Sequence, residues 1–164
     1  YDIQYLTIPF DIKKSGIILF LSEILYKCIK EEEANKPFFD FLTNSLIKFD
    51  QFPPNPDFHL VLLLQITKFL GFIPNDNFSA SNPVFDLMEG VFRNNVPLHP
   101  HYTDKDVSSA LSILLKSDLP YGGNSILSQK IRKDLLSVLV NYYELHISNF
   151  KNIKSLKVLS EVFS

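Results

Sequence analysis

The fold of this chain is decided by residues 58–71, FHLVLLLQITKFLG, because this stretch is apolar around nearly the whole circumference of a helix. Asp57 precedes it as a candidate N-cap, and Gly71 supplies a residue that tolerates the left-handed backbone often found at a helix C-terminus. A helix that is apolar on nearly all sides has to be covered on all sides. We therefore predict that this helix lies in the middle of a helical bundle.

Two amphipathic segments precede this central helix. Residues 12–30 predict a helix with one buried stripe, formed by Ile17, Phe20, Leu21, Ile24, Leu25, Cys28 and Ile29. Pro37 then fits the first turn of a second helix, which ends before the proline-rich segment QFPPNP at residues 51–56. Its apolar spacing is set by Phe38, Phe41, Leu42, Ser45, Leu46 and Phe49. Cys28 lies on the first stripe and is interpreted as a small buried core residue.

The pattern changes after the central helix. Short apolar stretches on either side of Glu89-Gly90 predict a small β-hairpin. Three further helices follow: one with Thr103 and Asp106 as a capping pair, one capped by Asn124 or Ser125 that carries Leu145 among its core positions, and a short one capped by Ser155. The prediction is an all-α (mainly α) fold, an irregular bundle of about six helices with a small inserted β-hairpin.

Composition and charge narrow the classes of function. The 46% hydrophobic content is ordinary for a globular protein, and the longest apolar run, residues 16–21, is far shorter than the roughly 20 residues that cross a bilayer. A single cysteine excludes an internal disulfide and suits a reducing compartment, so a cytoplasmic location is expected.

Residues 130–157 carry six basic and two acidic residues, whereas the whole chain has a net charge of −2. This C-terminal third is the candidate surface for phosphates or an acidic peptide, with a solvated helix face as the alternative.

The sequence contains no motif for catalysis or for a cofactor. It lacks a serine elbow, a glycine-rich phosphate loop and metal-ligand spacing. His99-Pro100-His101 is a poor zinc pattern, and the carboxylates of residues 31–33 would point in different directions on a helix. His59 is interpreted as a structural histidine at the start of the central helix. Tyr142, Tyr143 and His146 lie among basic residues and could stack on bases, although burial of Tyr142 is favoured.

Four segments carry a resemblance to a known family. They are FDIKKSGIILFLSEILYKCIKEEEANKPFFDFL at 10–42, FHLVLLLQITKFLGFIPN at 58–75, FDLMEGVF at 85–92 and YYELHISNFKNIKSLKVLSEVF at 142–163. In this order they resemble the C-terminal domain of RecO, the bacterial recombinational DNA repair family, particularly the form found in Bacteroidetes-type bacteria. The resemblance implies a helical domain at residues 10–164. Residues 1–9 would then be a linker or the remnant of a missing N-terminal OB-fold domain.

The resemblance also implies a non-enzymatic mediator role. RecO proteins bind single- and double-stranded DNA, anneal complementary strands and, with RecR, help to load RecA onto DNA coated by single-stranded DNA-binding protein. The C-terminal domain is associated with docking the acidic, Phe-ended tail of that coating protein. The expected tail-peptide site is His59, Leu62, Lys68 and Phe69. The expected DNA or phosphate contacts are Lys130, Arg132, Lys133, Lys151, Lys154 and Lys157.

This sequence departs from the family pattern in two places. Many RecO proteins carry four zinc-binding cysteines around the hairpin, but residues 75–97 contain none, so no metal site is expected. Many relatives also have arginines near the start of the third helix, where this chain has FHLV at 58–61, and His59 is the one cationic candidate there. The alternative hypothesis is a helical enzyme or ligand-binding domain that uses His59, His99 or His101 in a closed pocket.

Overall fold

The computed structural model describes residues 4–29 and 35–162, and this part of the chain is mainly helical. After a short 3-10 helix at Ile8–Phe10, its elements in chain order are α1 Ile12–Cys28, α2 Lys36–Gln51, α3 Phe58–Leu70, β1 Val84–Asp86, β2 Val91–Arg93, α4 Lys105–Leu115, α5 Gln129–His146 and α6 Ser155–Val162. The predicted mainly α fold with six helices and an inserted hairpin is thus confirmed. None of the described helices is long and apolar enough to span a membrane.

The chain divides into two compact units. The first unit consists of residues 1–59, 119–124 and 151–164, and the second consists of residues 60–118 and 125–150. The first unit is built on α1, whose Ile17, Phe20 and Ile24 are almost completely buried. α6 packs against α1 so closely that a Cβ atom on Gly16 would lie 3.3 Å from Val162 Cγ2. Because glycine has no side chain, it allows this approach of the two helices.

A buried carboxylate at the end of α2 holds the segment before α1. Asp50 is 5% exposed, and its two carboxylate oxygens accept hydrogen bonds from the backbone N–H groups of Leu6, Thr7 and Ile8 at 2.7–2.8 Å. The buried Lys14 ammonium donates to the Thr7 hydroxyl at 2.6 Å and to the Asp50 backbone oxygen at 2.8 Å. Burial alone would raise the pKa of Asp50, but the hydrogen bonds from residues 6–8 outweigh it and lower the pKa to about 2.

A carboxylate from α1 caps the N-terminus of α6. Glu23 accepts hydrogen bonds from the backbone N–H groups of Lys154, at 3.0 Å, and Ser155, at 2.7 Å, and from the Ser155 hydroxyl. The first N–H groups of a helix have no partner inside the helix, and a negative charge there is also favoured by the helix dipole. Burial raises the pKa of Glu23, yet these hydrogen bonds and the nearby Lys27 charge together lower it.

We expect Glu23→Ala to lower the free energy of unfolding by about 1–2 kcal/mol, because α6 loses its cap. Glu23→Gln keeps an acceptor oxygen and is expected to cost about half as much. The pKa of Glu23 is lowered in the folded state, so its contribution is complete above the unfolded value of about 4.3 and decreases as the pH falls below it. Urea titrations at pH 7 and pH 3 measure this difference. Equal stabilities of Glu23→Ala and the unchanged protein at pH 7 would contradict the capping role.

The second unit is organised around the hairpin. Its strands pair antiparallel with Phe85 opposite Phe92, and Asp86 is buried at the end of β1. The Asp86 carboxylate accepts hydrogen bonds from the backbone N–H groups that follow it in the turn, at residues 88 and 89. It also lies 2.8 Å from Arg93 Nε and 3.3 Å from His99 Nε2. These contacts tie both strands and the following loop to one buried charge.

Two tyrosines connect α5 to α3 and to the segment that follows α3 within the second unit. The Tyr142 hydroxyl donates to the Phe72 backbone oxygen and the Tyr143 hydroxyl donates to the Leu63 backbone oxygen, both at 2.7 Å. Both side chains are 1% exposed. The predicted burial of Tyr142 is therefore confirmed, and the large aromatic rings fill the core while their hydroxyls satisfy buried carbonyl groups.

Three predicted helix starts need correction. Asp104, not Thr103, caps α4 by accepting from the Val107 N–H group. Thr103 is engaged elsewhere, since its N–H donates to the Phe85 backbone oxygen and its hydroxyl bonds Ser108. α5 begins at Gln129 with Ser128 as its cap, because the Ser125 hydroxyl bonds Leu127 in a local turn. Ser155 is the first residue of α6 and does not cap it.

Some expected core positions also differ. Leu145 is 36% exposed and Ile29 is 49% exposed, so neither belongs to the core. Leu145 follows Tyr142 and Tyr143 on α5, but the helix has only one buried face near its C-terminus. The expectations for residues 31–33 and for Phe163 lie outside the described residues.

Candidate peptide-binding and phosphate-binding surfaces

The expected tail-peptide residues on α3 differ in accessibility. In the first unit, His59 is 4% exposed, and the Phe20 ring lies edge-on to its imidazole at 6.3 Å between centroids. In the second unit, Leu62 is 1% exposed, Phe69 is half-buried and Lys68 is exposed. His59 and Leu62 act as core residues here and offer no surface to a peptide. Of the four expected residues, Lys68 and Phe69 are the ones that a ligand could reach.

The expected phosphate-binding residues of α5 are partly engaged within the second unit. Lys130 is paired with Asp134 at 3.1 Å, and the hydrogen bond and charge of Asp134 raise the pKa of Lys130. The guanidinium of Arg132 donates to the Leu127 backbone oxygen at 2.8 Å and is half-buried. Lys133 is exposed. An acidic partner lowers the attraction of a lysine for phosphate. The basic residues of α5 are therefore weaker candidates for phosphate binding than the basic residues near α6.

The expected residues near α6 form the stronger candidate. Lys151, Lys154 and Lys157 are all exposed in the first unit; Lys154 directly precedes α6, and Lys157 lies in its first turn. Lys27 of α1 adds a fourth cation, because its ammonium donates to the Lys151 backbone oxygen at 2.6 Å. We refer to Lys27, Lys151, Lys154 and Lys157 as the lysine cluster. Several lysines on α1, on α6 and in the segment before α6 provide a positive potential that attracts the phosphate backbone of a nucleic acid.

Sequence reasoning missed Lys27 as a member of this cluster. It is separated from Lys151 by 124 residues, and no local pattern connects them. Its position on α1, one helical turn after Glu23, would have indicated that it lies near whatever Glu23 binds. Glu23 itself is occupied in capping α6. The four lysines outnumber this one ionised carboxylate, so the cluster keeps a positive potential.

The aromatic residues of α5 do not form a stacking platform. Tyr142 and Tyr143 are buried, and burial raises the pKa of Tyr142 to about 12. His146 stacks on the Phe72 ring at 5.3 Å with an interplanar angle of 2°, and its Nε2 lies 2.9 Å from the Leu87 backbone oxygen. These rings are used inside the second unit, so base stacking on them is not available in this structure.

His99, His101 and Cys28 are poorly placed for metal binding or for nucleophilic catalysis. His99 bonds Asp86, and its ring lies 6.1 Å from that of His101. Across residues 4–29 and 35–162, no group of three or more His, Cys, Asp or Glu residues could hold a metal ion. Cys28 is 7% exposed and burial raises its pKa to about 12, so its thiol stays protonated and unreactive at neutral pH. The interpretation of Cys28 as a core residue is confirmed.

The fold and these surfaces define a class of protein: a mainly α-helical domain with an inserted hairpin, whose accessible candidate groups are exposed cations suited to binding. The family model described as "Recombination protein O C terminal" matches residues 9–157. The chain therefore belongs to the RecO family, as its sequence motifs indicate, and corresponds to the C-terminal part of that family's proteins.

Curated relatives agree with this family. DNA repair protein RecO of Flavobacterium psychrophilum is 40% identical over 162 residues, covering 96% of this chain and 65% of that protein. The protein of the same name from Flavobacterium johnsoniae is 40% identical over 172 residues, covering 99% and 67%. That from Phocaeicola vulgatus is 33% identical over 159 residues, covering 96% and 66%. The chain thus spans about two thirds of the length of these relatives. No solved structure matches it.

Proposed function

We propose that this chain is the C-terminal helical domain of a cytoplasmic RecO-type mediator of DNA repair and recombination. The domain acts by binding and performs no covalent chemistry. In the complete protein, an OB-fold domain would precede it and supply most of the DNA contacts. The complete protein would anneal strands and, with RecR, load RecA onto DNA coated by single-stranded DNA-binding protein. Support comes from the family membership and from the names of its relatives, which are DNA repair proteins.

The lysine cluster is the observation that carries the DNA-binding part of this proposal. Three of its four members, Lys151, Lys154 and Lys157, are exposed; Lys154 directly precedes α6 and Lys157 lies in its first turn. The Glu23 carboxylate accepts hydrogen bonds from residues 154 and 155, and its single negative charge still leaves the cluster with an excess of positive charge. Such lysines would contact phosphates without reading the sequence of bases.

In the complete protein, changing Lys151, Lys154 and Lys157 together to Ala is expected to weaken single-stranded DNA binding by about 10-fold at low salt. The slope of log affinity against log salt should become shallower by about 2, since each lost phosphate contact removes about 0.7. Fluorescence anisotropy with labelled oligonucleotides at several salt concentrations measures both values.

The matched control for the lysine variant changes Lys13, Lys48 and Lys105 to Ala, which removes the same charge from exposed sites elsewhere. It should leave the salt slope unchanged. If the two triple variants gave the same affinity and the same slope, the lysine cluster would have no specific role in DNA binding. The family assignment would not be affected by that result.

We further propose that Lys68 and Phe69, at the end of α3, contribute to docking the acidic, Phe-ended tail of the coating protein. An exposed ammonium next to a half-buried ring offers a cation for a carboxylate and an apolar surface for a ring. Lys68→Glu is expected to weaken binding of such a peptide by about 10-fold, because it replaces attraction with repulsion. Isothermal titration calorimetry measures this, with Lys105→Glu as the control. Unchanged affinity in Lys68→Glu would remove α3 from the tail site.

A further inference from the structure

One exposed aromatic ring lies beside the lysine cluster. Tyr26, near the C-terminus of α1, is 86% exposed. A single exposed ring is ordinary on a protein surface and by itself indicates no ligand. The surroundings of Tyr26 are less ordinary, because the four lysines of the cluster are carried by the same end of α1 and by the part of the chain that is hydrogen-bonded to it.

Hydrogen bonds place the segment before α6 along the end of α1 that carries Tyr26. The Lys27 ammonium donates to the Lys151 backbone oxygen at 2.6 Å, and the Glu23 carboxylate accepts from the Lys154 N–H group at 3.0 Å. Residues three and four positions apart are neighbours on a helix surface, so Tyr26 and Lys27 both adjoin Glu23. The Tyr26 ring is therefore carried by the same helical turn that contacts the lysine-bearing segment.

An exposed ring beside several lysines matches the chemistry of a single-stranded nucleic acid. Lysines attract the phosphates of any strand, whereas an exposed aromatic ring can stack on a base that is unpaired. In a duplex the bases are paired and stacked on one another, and taking one out of the stack costs free energy. The ring thus adds a preference for single strands that the lysines alone do not provide.

We propose that Tyr26 and the lysine cluster form one site for single-stranded nucleic acid, in which the ring stacks on an unpaired base and the lysines contact the flanking phosphates. This inference deepens the DNA-binding role proposed for the lysine cluster and rests on it. Glu23 lies beside the ring, and three glutamates follow α1 in the sequence at residues 31–33. Their charges act on the phosphates of single strands and duplexes alike, so a loss of affinity confined to single strands reports on the ring.

Binding of a single-stranded oligonucleotide and of the duplex of the same sequence to the complete protein tests the ring. Tyr26→Ala is expected to weaken binding of the single strand by about 10-fold and binding of the duplex by less than about 2-fold. The salt dependence of affinity should not change, because no charge is lost. Tyr26→Phe keeps the ring and should bind both nucleic acids as the unchanged protein does. Fluorescence anisotropy measures these affinities.

Two controls isolate base stacking. Phe10→Ala removes a ring that is 88% exposed and precedes α1, at the end of that helix opposite to Tyr26, and it should leave both affinities unchanged. A strand of the same length without bases keeps the phosphates but offers no base to stack on. Tyr26→Ala should bind that abasic strand as tightly as the unchanged protein does.

Three outcomes would overturn the inference. Unchanged single-strand affinity in Tyr26→Ala, together with a loss in the triple variant of Lys151, Lys154 and Lys157, would leave the DNA-binding role of the lysine cluster intact and assign the ring to a protein partner instead. Equal losses for the single strand, the duplex and the abasic strand would mean that the ring shapes the site without stacking on a base. If neither the ring variant nor the lysine variant lost affinity, the proposed DNA-binding role would fall together with this inference.

Discussion

Replacing Asp50 with alanine is expected to lower the free energy of unfolding by about 3 kcal/mol, a larger effect than an exposed carboxylate would give. The change removes the acceptor for three successive backbone N–H groups, those of Leu6, Thr7 and Ile8. Ile8 is 7% exposed, so its N–H would lose its partner in a place that water reaches poorly. A buried donor without an acceptor costs about 1–3 kcal/mol, and the more exposed Leu6 and Thr7 groups would add less.

The neighbouring lysine increases the expected cost. Lys14 is 2% exposed, and its ammonium group is held by the Thr7 hydroxyl and the Asp50 backbone oxygen. It also lies 5.5 Å from the centre of the Phe49 ring, a favourable position for a cation. Without the Asp50 carboxylate, this buried cluster keeps a positive charge and loses its negative one. The segment that carries Thr7 would then loosen, and Lys14 would lose one of its hydrogen-bond partners.

The pH dependence of stability tests the role of the charge. The folded state lowers the pKa of Asp50 to about 2, below the ordinary value of about 3.9. Its ionised form therefore stabilises the fold fully above about pH 4, and this contribution is lost as the pH falls from about 4 to about 2. In Asp50→Asn the contribution is absent at every pH. The stability gap between the two proteins should be constant near neutral pH and close as the pH falls through that window.

Urea unfolding from pH 7 to pH 2 measures this gap, with Asp40→Asn as the matched control. Asp40 is an exposed carboxylate on the same helix, paired with Lys36, and its loss is expected to cost less than about 0.5 kcal/mol. If Asp50→Asn and Asp40→Asn were equally stable at pH 7, the charge and the second acceptor oxygen of Asp50 would contribute nothing net to folding.

The Asp50 cluster also shows what sequence patterns leave out. The apolar spacing of α1 to α3 predicts these helices to within about two residues of their bounds, because the pattern and the local stop signals agree. Asp50, in contrast, stands at the end of α2 as an ordinary polar residue. Its partners lie more than 40 positions away, and only the fold brings them together.

The sequence predicted the wrong cap both for α4 and α5, whose caps are local, and for α6, whose cap is not. Asp104 directly precedes α4 and caps it, and Ser128 directly precedes α5 and caps it. Several polar residues precede each helix, and some of them, such as Ser125, form hydrogen bonds in local turns instead. The cap of α6 comes from Glu23 on another helix, so no local signal near Ser155 could reveal it. The candidate surfaces show the same difference between local and long-range information. The charge pattern along the chain is enough to indicate the lysines of residues 151–157. The burial of His59 and Leu62 depends on what packs around α3, which the local sequence does not give.

Gly90→Ala is expected to lower the free energy of unfolding by about 3 kcal/mol. Gly90 ends the hairpin turn with φ of 66°, which costs an alanine about 1 kcal/mol or more. A Cβ atom at this position would lie 2.7 Å from the Tyr142 hydroxyl, closer than nonbonded atoms tolerate. That hydroxyl cannot simply move, because it donates to the Phe72 backbone oxygen at 2.7 Å within a buried site. The collision and the lost hydrogen bond account for the remaining 2 kcal/mol or so.

A double-mutant cycle separates the collision from the backbone strain. In Tyr142→Phe the obstructing oxygen is gone, so adding Gly90→Ala should cost only about 1 kcal/mol there. Gly71→Ala is the control for strain alone, since Gly71 has φ of 84° and a Cβ there would meet no atom within 4 Å. Urea unfolding of the four proteins of the cycle gives the coupling energy. A coupling near zero would mean that the Tyr142 hydroxyl does not restrict the space at position 90, and the collision would not contribute to the cost of Gly90→Ala.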